Sequence, residues 1–85
     1  MTYTLSPEAA DQLANLPKQV QKKAHKQLSF LLINYRHPSL RTRKMGGEDK
    51  FEGRIDRKNR FTFLIEGGDI YILTIGPHDE GLGKK

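Results

Sequence analysis

The chain has 85 residues, no cysteine, and a net charge of +5 from fifteen Lys and Arg against ten Asp and Glu. This length predicts one domain over residues 1–85 with a small core, which excludes a large internal cavity and points to function on an exposed face. The lack of cysteine excludes disulfides and thiolate metal sites and fits a reducing cytoplasm. The longest apolar run, residues 30–33, excludes a membrane-spanning helix, and the positive charge favours acidic partners such as nucleic acid.

The start of the chain predicts a short strand followed by two helices. Residues 3–5 form the strand, and Ser6 with Pro7 marks a helix start, since serine caps helices and proline suits their first position. Pro17 interrupts this helix and is expected to open the second one. The second helix should end near Pro38, because a residue before proline avoids helical backbone angles.

The second helix carries a periodic apolar stripe, which predicts its buried face. The stripe consists of Val20, Ala24, Leu28, Leu31, Leu32 and Tyr35. Four lysines fall mostly on the other faces, where they form either a solvated surface or a contact for an acidic partner.

The second half of the chain alternates between apolar and polar residues and so predicts three strands. Residues 51–56 and 60–65 alternate, and residues 70–75 are apolar on both faces, as in a central strand. Gly67-Gly68 predicts a tight hairpin between the last two strands, and Gly76-Pro77 ends the final one.

This order, β-α-α-β-β-β, predicts an α+β fold in which two N-terminal helices cover one face of a small, mainly antiparallel sheet. The helices are expected to cover the face that carries Phe61 and Phe63. The opposite face then remains open, with Glu52, Arg54, Arg60 and Thr62 on it.

Several segments, in their order and spacing, resemble the RelE/ParE toxin superfamily. The similarity includes three segments of the first half of the chain: the opening strand and helix at residues 3–10, the break at residues 16–17, and the basic, glycine-containing residues 44–47. It also includes the paired strands at 51–55 and 59–63 and the last strand with the turn after it, residues 70–79.

The resemblance implies a toxin that cleaves messenger RNA on the ribosome and is silenced by a cognate antitoxin protein in a hetero-oligomeric complex. In this family the 2′-hydroxyl of a nucleotide attacks the adjacent phosphodiester, so the site needs proton-transfer groups and cations. The resemblance places phosphate-binding residues at Arg54 and Arg60, a proton-transfer residue at His78 and a further catalytic position at Glu52. Further RNA-binding positions are expected at Arg43, Lys44, Lys58 and Asp79.

Each of these side chains also has a simpler interpretation. The alternative for Arg60 is an ion pair with Asp56 across the turn, and the alternative for Glu52 is an ion pair with Arg54. Asp79 either orients His78 or caps the tail. The three scattered histidines show no metal-ligand spacing, no glycine loop cradles phosphate, and no cofactor is expected.

Two other functions stay open on the same fold. A ParE-like toxin inhibits DNA gyrase and needs no catalytic residues, and a third possibility is a structural partner of the antitoxin without activity. The basic residues beside His78 favour the ribonuclease. The tail favours the ParE-like alternative, because residues 80–85 lack the aromatic ring that many ribonuclease members place there.

Overall fold

The computed structural model describes residues 2–45 and 50–77. Within these ranges the chain forms five strands, two α-helices and one short 3₁₀ helix. The strands are β1 (Tyr3–Leu5), β2 (Arg43–Met45), β3 (Lys50–Arg54), β4 (Asn59–Glu66) and β5 (Asp69–Pro77). The helices are α1 (Pro7–Ala14) and α2 (Lys18–Ile33), and the 3₁₀ helix is Pro38–Leu40. Neither α-helix in the described ranges is long and apolar enough to cross a membrane.

The strands form one sheet in the order β1-β5-β4-β3-β2, in which β1 runs parallel to β5 and the other neighbours are antiparallel. Both helices pack on one face, which confirms the predicted α+β architecture. The core consists of side chains from both layers: Ala9, Leu13, Ala24, Leu28 and Leu31 from the helices, and Phe61, Phe63, Ile70, Ile72 and Ile75 from the strands.

Strand β2 and the 3₁₀ helix were not predicted. The three residues of β2 are Arg, Lys and Met, which carry no apolar alternation. Their extended conformation depends on pairing with β3, a contact that local sequence does not reveal.

Helix α1 begins where the sequence predicts, because Ser6 satisfies two kinds of polar group at once. The Ser6 Oγ accepts a hydrogen bond from the Ala9 N–H at 2.9 Å and donates one to the Leu73 carbonyl at 2.9 Å. The same residue therefore caps α1 and fixes the helix to β5.

Helix α2 buries a narrower stripe than the sequence predicts. Leu28 and Leu31 are fully buried, but Leu32 is 37% exposed. The helix ends at Ile33, where Asn34 takes an extended conformation, so Tyr35 packs against the core from outside the helix. The prediction that Leu32 and Tyr35 belong to the buried helical face is therefore wrong, because the helix stops before Tyr35 and Leu32 lies at the margin of the contact.

A β-bulge in the β4–β5 pair decides which residues of β5 reach the open face. Thr62 lies opposite Thr74, while Phe63 lies opposite Ile72, so Leu73 is an extra residue. The bulge turns Ile75 towards the core and Thr74 towards the open face, where its hydroxyl lies 2.7 Å from that of Thr62. Strict alternation along β5 would have given the opposite arrangement.

The hairpin between β4 and β5 confirms the prediction from its two glycines. Gly67 and Gly68 both have positive φ angles, 60° and 86°, which are the backbone conformations of a type I′ turn. Glu66 and Asp69 pair directly on either side of them, so the turn sets the register of the two strands.

Gly53 in β3 allows the ring of Phe61 to lie over the backbone. A Cβ atom at position 53 would overlap the fully buried ring of Phe61. We therefore expect Gly53→Ala to lower the free energy of unfolding by about 1–3 kcal/mol, as overpacking of a core does. Gly76→Ala is the matched control, since a Cβ at that strand position meets nothing within 4 Å. Equal urea midpoints for Gly53→Ala and the wild type would show that Phe61 moves aside freely.

Candidate active site

The face of the sheet that the helices leave uncovered carries the polar residues predicted there. Directly opposed residues of neighbouring antiparallel strands point to the same face. Glu52 lies opposite Thr62, and Arg54 lies opposite Arg60, which confirms the predicted arrangement of this face.

A cleft of about 660 Å³ opens on this face beside the second half of β5. Its floor and walls mix polar and apolar side chains from α1 and from four strands. Among the lining residues are Glu8 and Gln12 of α1, Lys50 and Glu52 of β3, Arg60 and Thr62 of β4, and Thr74 and Pro77 of β5.

Helix α1 forms one wall of the cleft because it takes over the edge of β5 where β1 ends. Strand β1 pairs only with residues 70–72 of β5. Beyond them the Ile75 N–H donates a hydrogen bond to Gln12 Oε1 at 2.7 Å, and Gln12 Nε2 contacts Glu8 at 3.4 Å. Gln12 therefore holds the strand that leads to Pro77, and sequence analysis missed it because a polar residue of an amphipathic helix gives no sign of such a contact.

Arg60 lies at the cleft with part of its guanidinium group fixed. Its Nη1 atom donates hydrogen bonds to the backbone carbonyls of Asp56 at 2.6 Å and Asn59 at 3.1 Å. The alternative ion pair between Arg60 and the Asp56 carboxylate is not formed, because that carboxylate accepts hydrogen bonds from its own turn. The guanidinium is thus oriented by neutral carbonyls, and no carboxylate within the described residues forms an ion pair with it.

Arg54 brings a second positive charge to the same place. It is the cross-strand partner of Arg60, so the two Cα atoms are about 4.5–5.5 Å apart. Like charges directly opposite each other destabilise a sheet unless something compensates them. In the described part of the chain the Arg54 side chain has no ion-pair partner, so the two arginines form a site that favours an anion.

Glu52 is buried at the cleft and pairs with Arg43 rather than with Arg54. The Arg43 Nε atom lies 3.0 Å from Glu52 Oε1, across the β2–β3 pair. The alternative pairing with Arg54 is wrong, because β2 places Arg43 directly opposite the carboxylate. Glu52 therefore reaches the cleft as a carboxylate held by a cation.

The other predicted positions do not all share this face. Lys44 lies opposite Phe51, so it points to the other side of the sheet from Glu52. Lys58 is exposed in the β3–β4 turn. His78 and Asp79 lie outside the described residues, and Pro77, which precedes them in the chain, lines the cleft.

The turn beneath the two arginines is organised by Asp56. Its Oδ1 atom accepts hydrogen bonds from the backbone N–H groups of Lys58 at 2.9 Å and Asn59 at 2.8 Å, and from the Asn59 side chain at 3.1 Å. Partial burial pushes the pKa of Asp56 upward, but these hydrogen bonds and the nearby Lys23 outweigh it, so the pKa lies below its ordinary value of 3.8.

This lowered pKa predicts an acid-sensitive contribution to stability. A carboxyl group whose folded pKa is depressed stabilises the fold above its unfolded pKa of about 3.9, and this stability is lost as the pH falls through the folded pKa. We expect Asp56→Ala to lower the free energy of unfolding by roughly 1–2 kcal/mol at neutral pH. In urea titrations the difference should shrink below about pH 4. A difference that is the same at both ends of the range would contradict an ionised, hydrogen-bonded Asp56.

Gln27 is a second residue that sequence analysis missed. It is buried on the inner face of α2, and its Nε2 atom donates hydrogen bonds to the carbonyls of Arg54 at 2.8 Å and Ser39 at 3.0 Å. Its place among the apolar residues of the α2 stripe is the signal that could have identified it, because buried amides need partners. Gln27 thereby fixes the backbone at the end of β3, where Arg54 begins the site.

No three His, Cys, Asp or Glu side chains within residues 2–45 and 50–77 come together as a metal site requires. The groups available for chemistry at the described part of the cleft are therefore guanidinium, ammonium, carboxylate, hydroxyl and amide.

Comparison with known proteins relates this fold to solved structures. No protein-family model matches the sequence, and no curated protein matches it. The intact E. coli RelBE toxin–antitoxin complex contains a chain with a TM-score of 0.74 and 14% identity, over 89% of this chain and 94% of that one. A YoeB/ParE toxin from Agrobacterium tumefaciens has a TM-score of 0.73 and 14% identity, over 92% and 99% of the two chains.

A third match is the YoeB dimer from Staphylococcus aureus, with a TM-score of 0.69 and 20% identity over 92% of this chain and 97% of that one. Each match spans nearly the whole of both chains, so the similarity includes the sheet and the helices together. At 14–20% identity the matches establish the fold. The fold of this chain is that of the RelE and YoeB toxins, as the resemblance in its sequence predicted.

Proposed function

We propose that this protein is the toxin of a toxin–antitoxin pair and acts as a ribosome-dependent endoribonuclease on messenger RNA. The observation that carries the proposal is the Arg54–Arg60 pair, two like charges placed opposite each other beside a cleft on the open face. Such a pair destabilises the sheet by itself, and a bound anion such as a phosphodiester offsets the repulsion between the two charges. The similarity of the fold to solved toxins, one of them in complex with its antitoxin, supports the toxin role.

The proposed reaction is an internal transfer of the phosphoryl group within the message. The 2′-oxygen of one nucleotide forms a bond to the adjacent phosphorus as the bond from phosphorus to the 5′-oxygen of the next nucleotide breaks. The proton of the 2′-hydroxyl goes to a base, and the 5′-oxygen receives a proton from an acid. The products are a 2′,3′-cyclic phosphate and a 5′-hydroxyl end.

The side chains divide this work according to their chemistry. Arg60 and Arg54 hold the phosphate, whose negative charge grows in the transition state, and a planar guanidinium fits two of its oxygens. His78 transfers a proton near neutral pH, because its imidazole ordinarily titrates in that range. Glu52, held by Arg43, is a second proton acceptor at the cleft.

The remaining partners follow from the same proposal. Arg43, Lys44, Lys58 and Asp79 are the further RNA-binding positions, of which Lys44 contacts RNA outside the cleft because it points to the other side of the sheet. The ribosome presents the message, and a cognate antitoxin binds the toxin in a hetero-oligomer. An acidic or amphipathic antitoxin segment suits the open face with Arg54 and Arg60, since opposite charges steer association.

The test is cleavage of a defined message by the purified protein, with and without programmed ribosomes. We expect cleavage only of ribosome-bound message, while supercoiling by DNA gyrase proceeds normally in a parallel assay. An intact message together with stalled gyrase would refute the ribonuclease and favour the ParE-like function.

One feature of the sequence favours the ParE-like function as a second candidate. The tail, residues 80–85, has no aromatic side chain to stack on a base. A gyrase inhibitor on the same fold would not need that ring, nor the proton-transfer groups.

A further inference from the structure

The positive charge of this protein is concentrated in two segments. Helix α2 and residues 54–60 together contain eight of the fifteen Lys and Arg residues but one of the ten carboxylates. These segments therefore carry a net charge of +7, and the rest of the chain carries −2. The positive charge is thus concentrated in these two segments of the sequence.

The two segments lie side by side in the fold. The Lys23 ammonium is 3.9 Å from the Asp56 carboxylate, and Gln27 donates a hydrogen bond to the Arg54 carbonyl. These contacts place one edge of α2 against the β3–β4 turn. Five exposed cations follow this edge and turn, and we call them the basic ridge: Lys22, Lys23, Lys26, Arg57 and Lys58.

The basic ridge continues into the candidate active site. Arg54 and Arg60 flank the same turn, and the backbone N–H of Lys58 is bonded to the Asp56 carboxylate within it. A polyanion held between the two arginines would therefore meet the turn next, and after it the lysines of α2. This continuity connects the ridge to the cleft by way of residues 54–60.

The composition of the ridge favours nucleic acid over a protein partner. Protein interfaces are centred on buried apolar and aromatic anchors, whereas contacts with phosphate are made by Lys and Arg without them. The exposed positions of α2 up to residue 26 are Lys, Gln and His alongside small or polar neighbours, with no large apolar side chain.

We propose that the basic ridge binds the phosphate backbone of RNA outside the cleft and so extends the RNA contact across the β3–β4 turn to α2. This proposal rests on the proposed function in taking RNA as the polyanion, but it concerns binding and not cleavage. The phosphates come either from the strand that leaves the cleft or from a folded RNA that lies against α2. Both sources present the same chemistry, and they are separated by the choice of probe.

The test compares a ridge variant with a variant of equal charge elsewhere. Lys22→Gln/Lys58→Gln removes one charge from each segment, and neither side chain makes a polar contact within the described residues. Arg36→Gln/Arg41→Asn is the control, since both positions are exposed beyond the C-terminus of α2. Melting curves establish that both double variants are folded.

The probes are uncleavable 2′-O-methyl RNAs: a trinucleotide, a single strand of about 12 nucleotides, and a hairpin duplex. Affinities are measured by fluorescence anisotropy across a salt series. Each lost phosphate contact lowers the slope of log affinity against log salt by about 0.7 for single strands, so the ridge variant should lose about 1.4. The control variant should show slopes close to the wild type with every probe. With the trinucleotide, the ridge variant should also show a slope close to the wild type.

If the ridge variant lowers the slope for the single-stranded probe, the ligand is the strand that leaves the cleft. If it lowers the slope for the hairpin probe alone, the ligand is a folded RNA. Unchanged slopes with both longer probes would overturn the proposal. It would also be overturned if the ridge variant lost affinity for polyglutamate while its RNA slopes stayed unchanged. If the wild type leaves messages intact but the ridge variant still shows a lowered salt slope, the ribonuclease proposal is refuted and the proposal that the ridge binds RNA is supported.

Discussion

Arg60→Ala is expected to slow cleavage of ribosome-bound message by about 10²–10³ under single-turnover conditions. The guanidinium is held by the carbonyls of Asp56 and Asn59, so it is oriented before the substrate arrives. A preorganised cation stabilises the growing phosphate charge without having to reorganise, and its removal affects the transition state most. The rate constant at saturating ribosome concentration measures this effect directly.

The conservative variant separates charge from geometry at this position. Arg60→Lys should recover only part of the rate, because an ammonium keeps the charge but loses the planar fork. Arg36→Ala is the control, an exposed arginine that does not line the cleft, and should cleave like the wild type. His78→Ala should slow cleavage by about 10²–10⁴ if the imidazole transfers a proton. Equal rates for Arg60→Ala and the wild type would exclude Arg60 from the chemistry.

Truncation of the core is expected to have the largest effect on stability. Phe63 is fully buried between Phe51 and Phe61, with ring centroids 5.4 Å and 5.5 Å away. Phe63→Ala should therefore lower the free energy of unfolding by about 3–5 kcal/mol, and Leu28→Ala by about 2–5 kcal/mol. These losses approach the whole stability of a small domain, which is about 5–15 kcal/mol.

Helix α2 offers a control of the same residue type for the core prediction. Leu32 lies one turn after Leu28 but is 37% exposed, whereas Leu28 is fully buried. Leu32→Ala should lower the free energy of unfolding by only about 1 kcal/mol, because this side chain is only partly buried at the margin of the contact. Urea unfolding of the three variants checks the prediction, and equal losses for Leu28→Ala and Leu32→Ala would show that α2 packs on a different face.

The two faces of the sheet were predictable because a strand alternates its side chains. In β4 the apolar residues Phe61 and Phe63 alternate with the polar residues Arg60 and Thr62. Once helices cover one face of the sheet, this period of two assigns the apolar residues to the covered face and the polar residues to the open one. The helix start at Ser6 was predictable for a similar reason, since capping depends on residues close in sequence.

Features set by distant partners were not predictable in this way. The bulge that brings Thr74 to the cleft is a property of the β4–β5 pair and leaves no mark on β5 alone. The partner of Glu52 is Arg43 because β2 pairs with β3, and β2 has no alternation that would reveal it. Gln12 supports the site through a hydrogen bond from the remote Ile75 N–H, which a local pattern does not indicate. The place of Gln27 in the apolar stripe of α2 indicates burial, but it does not reveal that the partners are the carbonyls of Ser39 and Arg54.

The site residues themselves were proposed from a family resemblance, and their roles in cleavage stay a prediction. Arg54 and Arg60 are brought together on the open face, Glu52 reaches the same cleft, and Lys44 points away from it. Which of these side chains act on RNA depends on chemistry that the fold alone does not specify.

The most direct test of the central claim is single-turnover cleavage of a ribosome-bound message that carries one 2′-deoxynucleotide at the cleavage position. The unmodified message should be cut to give a 2′,3′-cyclic phosphate and a 5′-hydroxyl end, and the 2′-deoxy message should stay intact because it lacks the attacking oxygen. Cleavage of the 2′-deoxy message, or no cleavage of the unmodified one, would contradict the proposed phosphoryl transfer at the Arg54–Arg60 cleft.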